Sequence, residues 1–141
     1  MGFFRNPSLA RLTWALLRIV TGLVFMVHGA QKLFGMFGGV DGAGNHPPIA
    51  SLFGVAGILE FLGGLLVALG LFTRPVAFIL AGEMAYAFWT VHFPSGGINP
   101  VINRGEPAVL YCFIFLFLAF NGAGAYSIDE SREGRRTVAT G

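Results

Sequence analysis

Seven ionisable side chains stand inside or beside long apolar stretches of this 141-residue chain. They are Arg18, His28, Lys32, Glu60, Glu83, His92 and Glu106. Glu60 is the sharpest case, because it is the only charged residue in GVAGILEFLGGLLVALGLF, residues 54–72. An ionisable side chain that faced lipid there would cost on the order of 3 kcal/mol or more. We therefore expect Glu60 to have a function or a specific partner inside the protein.

Carboxylate, imidazole and ammonium groups at neighbouring positions can bind polar atoms of a ligand and relay protons. His28, Lys32 and Glu60 form the candidate group for this chemistry. A metal site is not expected, because His28 has no second ligand at the spacing that metals require. The single Cys112 excludes an internal disulfide and a Cys-x-x-Cys redox pair. Any electron transfer would therefore proceed without a dithiol of the chain's own.

Two stripes of residues recur at helical spacing and indicate which helix faces turn inward. The first stripe is Arg18, Gly22, Phe25, Gly29 and Lys32. The second stripe is Gly57, Glu60, Gly64 and Ala68. Small residues let two helices in a membrane approach closely. The second stripe therefore predicts that Glu60 lies inside a helix bundle and does not face lipid.

The composition is typical of a membrane protein. The chain is 55% hydrophobic and 11% charged, and its mean hydropathy is +0.70. This is more apolar surface than a soluble domain of the same size could bury. Its 21 glycines fit the same class, because glycine is more frequent in transmembrane helices than in soluble ones. A net charge of +2 without a basic patch argues against a nucleic-acid partner.

Four apolar stretches are long enough to be membrane spans, which need about 20 largely apolar residues. We place them at about 12–33, 51–72, 75–93 and 107–124. The predicted fold class is therefore all-α, a four-helix transmembrane bundle that forms one domain over residues 1–128. Residues 129–141 are expected to be a polar, mobile tail. The first partner of such a protein is the lipid bilayer itself.

The distribution of Lys and Arg predicts the orientation in the membrane, since the side richer in these residues faces the cytoplasm. One side carries Arg5, Arg11, Arg74, Arg132, Arg135 and Arg136, and the other carries Lys32 and Arg104. Both termini are therefore predicted to be cytoplasmic.

The same topology predicts a polar path at successive depths. A rise of about 1.5 Å per residue places Arg18 and Glu83 roughly 10 Å from the cytoplasmic side, where they could form an ion pair. That pair could also be purely structural, fixing helix register. Glu60 is expected nearer the midplane. The groups expected toward the outer surface are His28, Lys32, His92 and Glu106.

For some of these groups, a purely structural role is an alternative to a function. His92 could sit at the headgroup boundary, and Lys32 could extend its ammonium group to the surface. Glu106 precedes Pro107 at a predicted helix start, where a negative charge is favourable for the helix dipole alone.

In chain order, the motifs R…HGAQKLFG, E..GG, LGLFTR, M..A…H and NRGEPAVLY resemble those of the DoxX family of membrane proteins. The resemblance covers about residues 12–128 and implies a compact, multi-pass protein of the bacterial cytoplasmic membrane. The family pattern falls on Arg18, His28, Gly29, Lys32, Glu60, Gly63, Gly64, Arg74, His92 and Glu106. Where relatives commonly have Asn-Gly-Gly-Glu, this chain has Asn103-Arg104-Gly105-Glu106, which adds a positive charge beside the outer carboxylate.

The resemblance also implies a class of chemistry, since relatives include a quinone-linked thiosulfate-oxidising subunit and proteins associated with thiol and oxidative-stress handling. Three functions remain open. In the first, His28, Lys32 and Glu60 hydrogen-bond a quinone and pass protons, while other membrane or peripheral redox subunits supply the redox centre. In the second, the protein is a non-catalytic accessory subunit that stabilises a larger membrane complex. In the third, the polar path conducts protons or a small solute, which would require a homo-oligomer.

Overall fold

The computed structural model describes the backbone of residues 5–139 and the side chains of residues 5–134. Regular structure in this part of the chain is entirely helical. The helices are α1 (Pro7–Phe34), α2 (Leu52–Leu69), α3 (Thr73–Gly96), α4 (Glu106–Asn121) and α5 (Ile128–Ala139). A π turn, Phe88–His92, interrupts the regular α-helical bonding of α3. The all-α prediction is confirmed.

Within the described residues, three helices are long and apolar enough to cross a membrane, namely α1, α2 and α3. The fourth apolar helix, α4, has only 16 residues. At about 1.5 Å per residue it is roughly 24 Å long, which is shorter than a hydrocarbon core of about 30 Å. Length and composition therefore support three of the predicted spans, and the four-span bundle stays a prediction.

The chain forms two compact units. The first unit contains the residues up to Thr73 together with those from Ala123 onward, and the second unit contains Arg74–Gly122. The first unit therefore holds α1, α2 and α5, whereas the second holds α4 and nearly all of α3. The single domain expected over residues 1–128 stays a prediction.

Helix α1 begins earlier than the apolar pattern predicts, because Asn6 caps it. The Asn6 side chain accepts hydrogen bonds from the N–H groups of Ser8 and Leu9 at 2.9 and 3.4 Å. Pro7 occupies the first turn, where its missing N–H is no loss. At the other end Gly35 has a left-handed backbone with φ of 65°, which ends the helix. Polar capping residues, not apolar periodicity, therefore set the start of α1.

Helices α1 and α2 pack against each other at close range. A β-carbon on Gly22 would lie 2.5 Å from the Ala68 nitrogen and 2.6 Å from the Gly64 carbonyl oxygen. A β-carbon on Gly64 would lie 2.6 Å from the Gly22 carbonyl oxygen. Only glycine permits this approach of two helix backbones. The small-residue faces predicted for the two helices therefore pack against each other.

We expect Gly22→Ala to lower the free energy of unfolding by about 1–3 kcal/mol, because the added methyl group would overlap the backbone of α2. Unfolding by sodium dodecyl sulfate in mixed micelles measures the change. The matched control is Gly82→Ala in α3, where a β-carbon meets no atom within 4 Å and alanine favours the helix. Equal losses in the two variants would contradict the close packing at Gly22.

In the second unit, polar contacts join the ends of α3 and α4. Arg74, at the start of α3, donates to the carbonyl oxygens of Ala119 and Phe120 at 3.3 and 2.5 Å. These carbonyls belong to the last turn of α4, where C=O groups have no N–H donors within the helix. Near the other end of α3, the His92 Nδ1 atom lies 3.1 Å from the carbonyl oxygen of Asn103, which precedes α4. Helices α3 and α4 are therefore antiparallel.

The C-terminal segment, expected to be a mobile tail, contains α5 and makes specific contacts within the first unit. The Asp129 carboxylate accepts hydrogen bonds from the N–H groups of Phe72 and Thr73 at 3.0 and 2.9 Å. The Asp129 N–H donates to the Gly70 carbonyl oxygen at 2.9 Å. Asp129 thus caps the start of α3, where N–H groups lack partners and a negative charge is favourable.

Asp129→Ala should lower the free energy of unfolding by about 1–2 kcal/mol, because it removes this cap. Asp129→Asn keeps one acceptor oxygen without the charge, so we expect an intermediate loss. The same mixed-micelle unfolding assay measures both. Wild-type stability in Asp129→Ala would show that the contact does not hold the segment.

Candidate functional site

Lys32 on α1 and Glu60 on α2 form an ion pair between the two helices. The Lys32 Nζ atom donates to Glu60 Oε1. Glu60 is only 2% exposed, whereas the Lys32 side chain is 22% exposed. Gly57 makes this approach possible, because a β-carbon there would lie 2.8 Å from the Lys32 β-carbon. The structure thus brings together two residues that the sequence analysis placed in one candidate group.

The second carboxylate oxygen of Glu60 is a distinctive feature of this site. Oε2 is buried, and no group in the part of the chain that the structure describes donates a hydrogen bond to it. A buried polar atom without a partner costs about 1–3 kcal/mol, and more when it is charged. Such atoms in native proteins call for an explanation, such as a ligand, an ion or an ordered water. Packing of α1 against α2 does not supply one.

The residues near Lys32 and Glu60 along α1 and α2 include a histidine and two phenylalanines. His28 lies one turn before Lys32, is exposed, and interacts electrostatically with Glu60. The rings of Phe34 and Phe61, which follow the ion pair along the two helices, pack edge to face with centroids 5.5 Å apart. Hydrogen-bonding groups beside aromatic rings suit the binding of a flat ligand that carries polar atoms.

Arg18 is fully buried in the first unit and has a different environment. Its four acceptors are the carbonyl oxygens of Val67, Ala68, Ala125 and Tyr126, at 3.1, 2.5, 3.4 and 2.9 Å. The first two belong to the last turn of α2, where carbonyls lack helical partners. Arg18 therefore links α1, the end of α2 and the segment before α5.

The position of Glu83 bears on the predicted ion pair with Arg18. Glu83 lies half-buried on α3 in the second unit. Carbonyl oxygens of the first unit accept from both terminal nitrogens of the Arg18 guanidinium, whereas Nε is buried and has no hydrogen-bond partner among the described residues. The Arg18–Glu83 ion pair stays a prediction.

The remaining predicted site residues, His92 and Glu106, lie in the second unit. His92 is half-buried and contacts Asn103, which is itself buried. The Asn103 side chain donates to the Gly97 carbonyl oxygen and accepts from the Gly105 N–H, both at 2.7 Å. Asn103 begins the NRGE motif, but it was not among the predicted site residues, because an asparagine in a Gly-rich stretch indicates a turn. Glu106 is exposed at the first position of α4, where a negative charge stabilises the helix.

Metal ligands do not converge in the described part of the chain, where no three His, Cys, Asp or Glu side chains come together. Cys112 is a half-buried free thiol on α4. The polar groups that do converge are those of His28, Lys32 and Glu60. They can bind a ligand by hydrogen bonds and exchange protons with it.

Three helices that are long and apolar enough to cross a bilayer, with an ion pair buried between two of them, define a small integral membrane protein. Residues 13–93 match the DoxX family profile. The chain belongs to the DoxX family, which confirms the resemblance found in its motifs.

Similar proteins occur in several bacteria. A Haemophilus influenzae protein named "Uncharacterized protein" is 44% identical over 122 residues, which cover 82% of this chain and 87% of that one. The Bacillus subtilis protein "Putative oxidoreductase CatD" is 32% identical, over 81% of this chain and 82% of its own length. The Escherichia coli "Inner membrane protein YphA" is 29% identical, over 80% of this chain and 85% of its own length. No solved structure matches the chain.

Proposed function

We propose that this DoxX protein is a four-span protein of the bacterial cytoplasmic membrane that binds a quinone at the Lys32–Glu60 pair. Three helices of sufficient length and the inner-membrane name of YphA support the location. Helix α4 would cross where the bilayer thins locally, at a modest cost for each ångström of mismatch. The excess of arginine near both termini supports cytoplasmic ends.

The observation that carries the quinone proposal is the buried Oε2 atom of Glu60, which has no donor among the described groups. The hydroxyl group of a quinol would donate to this oxygen. Lys32 is partly exposed and uses one of its three N–H groups on Glu60, so it can donate another to a quinone carbonyl oxygen. The rings of Phe34 and Phe61 would contact the ring of the ligand.

The redox assignment is supported by the oxidoreductase name of the CatD relative. The chain has a single cysteine, so we assign the electron donor to a separate membrane or peripheral subunit, or to a further protein that docks on an oligomer of this chain. In this role the chain's own residues hold the quinone and exchange protons with it at Glu60. A purely accessory role would not explain why Glu60 Oε2 is buried without a hydrogen-bond donor, so we favour quinone binding.

Titration of the full chain in lipid nanodiscs with a short-chain ubiquinone and its quinol, followed by calorimetry, tests the proposal. We expect Glu60→Gln to weaken quinol binding by roughly 10–100-fold, the equivalent of one hydrogen bond to a charged group. Glu106→Gln is the matched control, because Glu106 is exposed and its variant should bind as the wild type does. If the wild type binds neither form, the proposal fails. Purification in a larger complex would then favour the accessory role.

A further inference from the structure

The connection between α1 and α2, residues 35–51, exposes large apolar side chains. They are Met36, Phe37, Val40 and Ile49. Phe37 is 67% exposed. Asp41 is the one charged residue in this connection. Exposed apolar groups gathered in one loop mark a contact with a partner or with a membrane.

Hydrogen bonds inside this connection fix its shape. The Asp41 carboxylate accepts from the Ala43 N–H at 2.9 Å and from the Asn45 side chain at 2.6 Å. The Val40 N–H donates to the Asn45 carbonyl oxygen at 3.0 Å. A loop without such bonds could turn its apolar side chains toward the helices. This one holds them outward.

The backbone of Phe37 is in the left-handed region, with φ of 54°. That region costs a residue with a side chain about 1–2 kcal/mol, whereas glycine adopts it freely. Phenylalanine at this position is therefore unfavourable for the backbone, and its exposure to water is unfavourable for the ring. Contact of the ring with lipid would offset both costs.

The ends of the connection point to lipid as the partner. Phe37 comes three residues after the last residue of α1, Phe34, and α2 begins at Leu52. Both helices are candidate membrane spans, so the connection begins and ends at the membrane surface. The 28 residues of α1 extend roughly 42 Å, which exceeds a hydrocarbon core of about 30 Å and places the helix ends among the headgroups.

The connection between α3 and α4, residues 97–105 of the second unit, independently has the same character. Its exposed apolar side chains are Ile98, Val101 and Ile102. The side chains of Asn99 and Asn103 hydrogen-bond its backbone and hold it in shape. Each connection follows a candidate membrane span, so each must lie at the surface of the bilayer.

We propose that these two connections are membrane-surface anchors, which insert their apolar side chains between the headgroups and upper acyl chains of the bilayer. Residues 35–51 contain no Lys or Arg, so the first anchor offers no lysine or arginine cation to an anionic headgroup. It should therefore insert into neutral phosphatidylcholine as well as into anionic lipid.

Single-tryptophan fluorescence of the full chain in phosphatidylcholine vesicles tests the proposal. The background carries Trp14→Phe and Trp89→Phe, which remove both natural tryptophans. Phe37→Trp is the reporter, and His46→Trp, at an exposed polar position of the same connection, is the control. We expect lipid brominated in the upper acyl chain to quench Phe37→Trp several-fold more than His46→Trp. Aqueous iodide should show the reverse order.

Quenching of Phe37→Trp by iodide and not by brominated lipid would overturn the proposal, because the ring would then lie in water. Quenching by neither would also overturn it and would show that protein covers the loop. If Phe37→Trp does not fold, Val101→Trp reports on the second connection by the same criteria. Equal quenching in vesicles with and without phosphatidylglycerol is the expected result for the first anchor, which has no Lys or Arg.

Discussion

Lys32→Met should destabilise the protein by about 3–5 kcal/mol, because it leaves the Glu60 carboxylate buried without a cation. Glu60 is almost completely buried, and Lys32 forms an ion pair with it. Mixed-micelle unfolding by sodium dodecyl sulfate measures the loss. The matched control is Arg11→Met, which breaks the exposed Arg11–Glu130 pair and should cost less than about 1 kcal/mol.

A second substitution separates stability from function at this pair. Lys32→Met/Glu60→Leu removes both charges, so it should recover most of the stability that Lys32→Met loses. The same double variant should bind no quinol in nanodiscs. A single variant as stable as the wild type would mean that the carboxylate is not held as a buried charge. A double variant that still binds quinol would remove the site from this pair.

Arg18→Met should be about as damaging, with an expected loss of roughly 3 kcal/mol or more. The variant removes the guanidinium donors from the carbonyl oxygens of Ala68, Ala125 and Tyr126, while Val67 keeps the Gly70 N–H as a donor. Each buried carbonyl left unsatisfied costs about 1–3 kcal/mol. Arg18→Lys should lose less, because lysine keeps the charge but lacks the planar fork that serves two pairs of acceptors. Arg74→Met is the matched control. Arg74 also donates to two carbonyls at a helix end, but it is exposed, so water can replace it.

Limited proteolysis provides a second readout for Arg18, because two of its acceptors lie in the segment that leads into α5. We expect Arg18→Lys to be cleaved after Tyr126 faster than the wild type, in step with its loss of stability. Unchanged cleavage in a destabilised variant would show that Arg18 supports α2 alone. Wild-type stability in Arg18→Met would contradict the structural role altogether.

The membrane class and the helices were predictable because they follow from the length of the apolar stretches and from the helical spacing of residues within them. The same spacing placed Lys32 and Glu60 on inward faces, and opposite charges on packed faces are expected to meet. The exact bounds were less predictable. Asn6 and Gly70 set helix ends by capping and by a left-handed turn, and neither alters the apolar pattern.

The partners of Arg18 could not have been predicted from residue types. Its acceptors are backbone carbonyls, which every residue carries, and the most distant of them lies 108 positions away along the chain. An arginine in a membrane helix suggests a carboxylate partner, and Glu83 was predicted to lie at the same depth as Arg18. Asp129 was overlooked for a related reason, since an acidic residue in a polar tail looks solvated. The Asp129 carboxylate accepts hydrogen bonds from the N–H groups of Phe72 and Thr73, and only folding brings these distant residues together.

The hydrogen bonds of Arg18 and Asp129 also set an order of events during biosynthesis. Synthesis proceeds from the N-terminus, so α1 enters the membrane long before Ala125 and Tyr126 leave the ribosome. Until then the Arg18 guanidinium has only the carbonyls of α2, and the start of α3 has no cap from Asp129. The first unit can therefore close only after the last part of the chain is made. A nascent chain that stops before residue 125 would leave Arg18 without two of its four carbonyl acceptors.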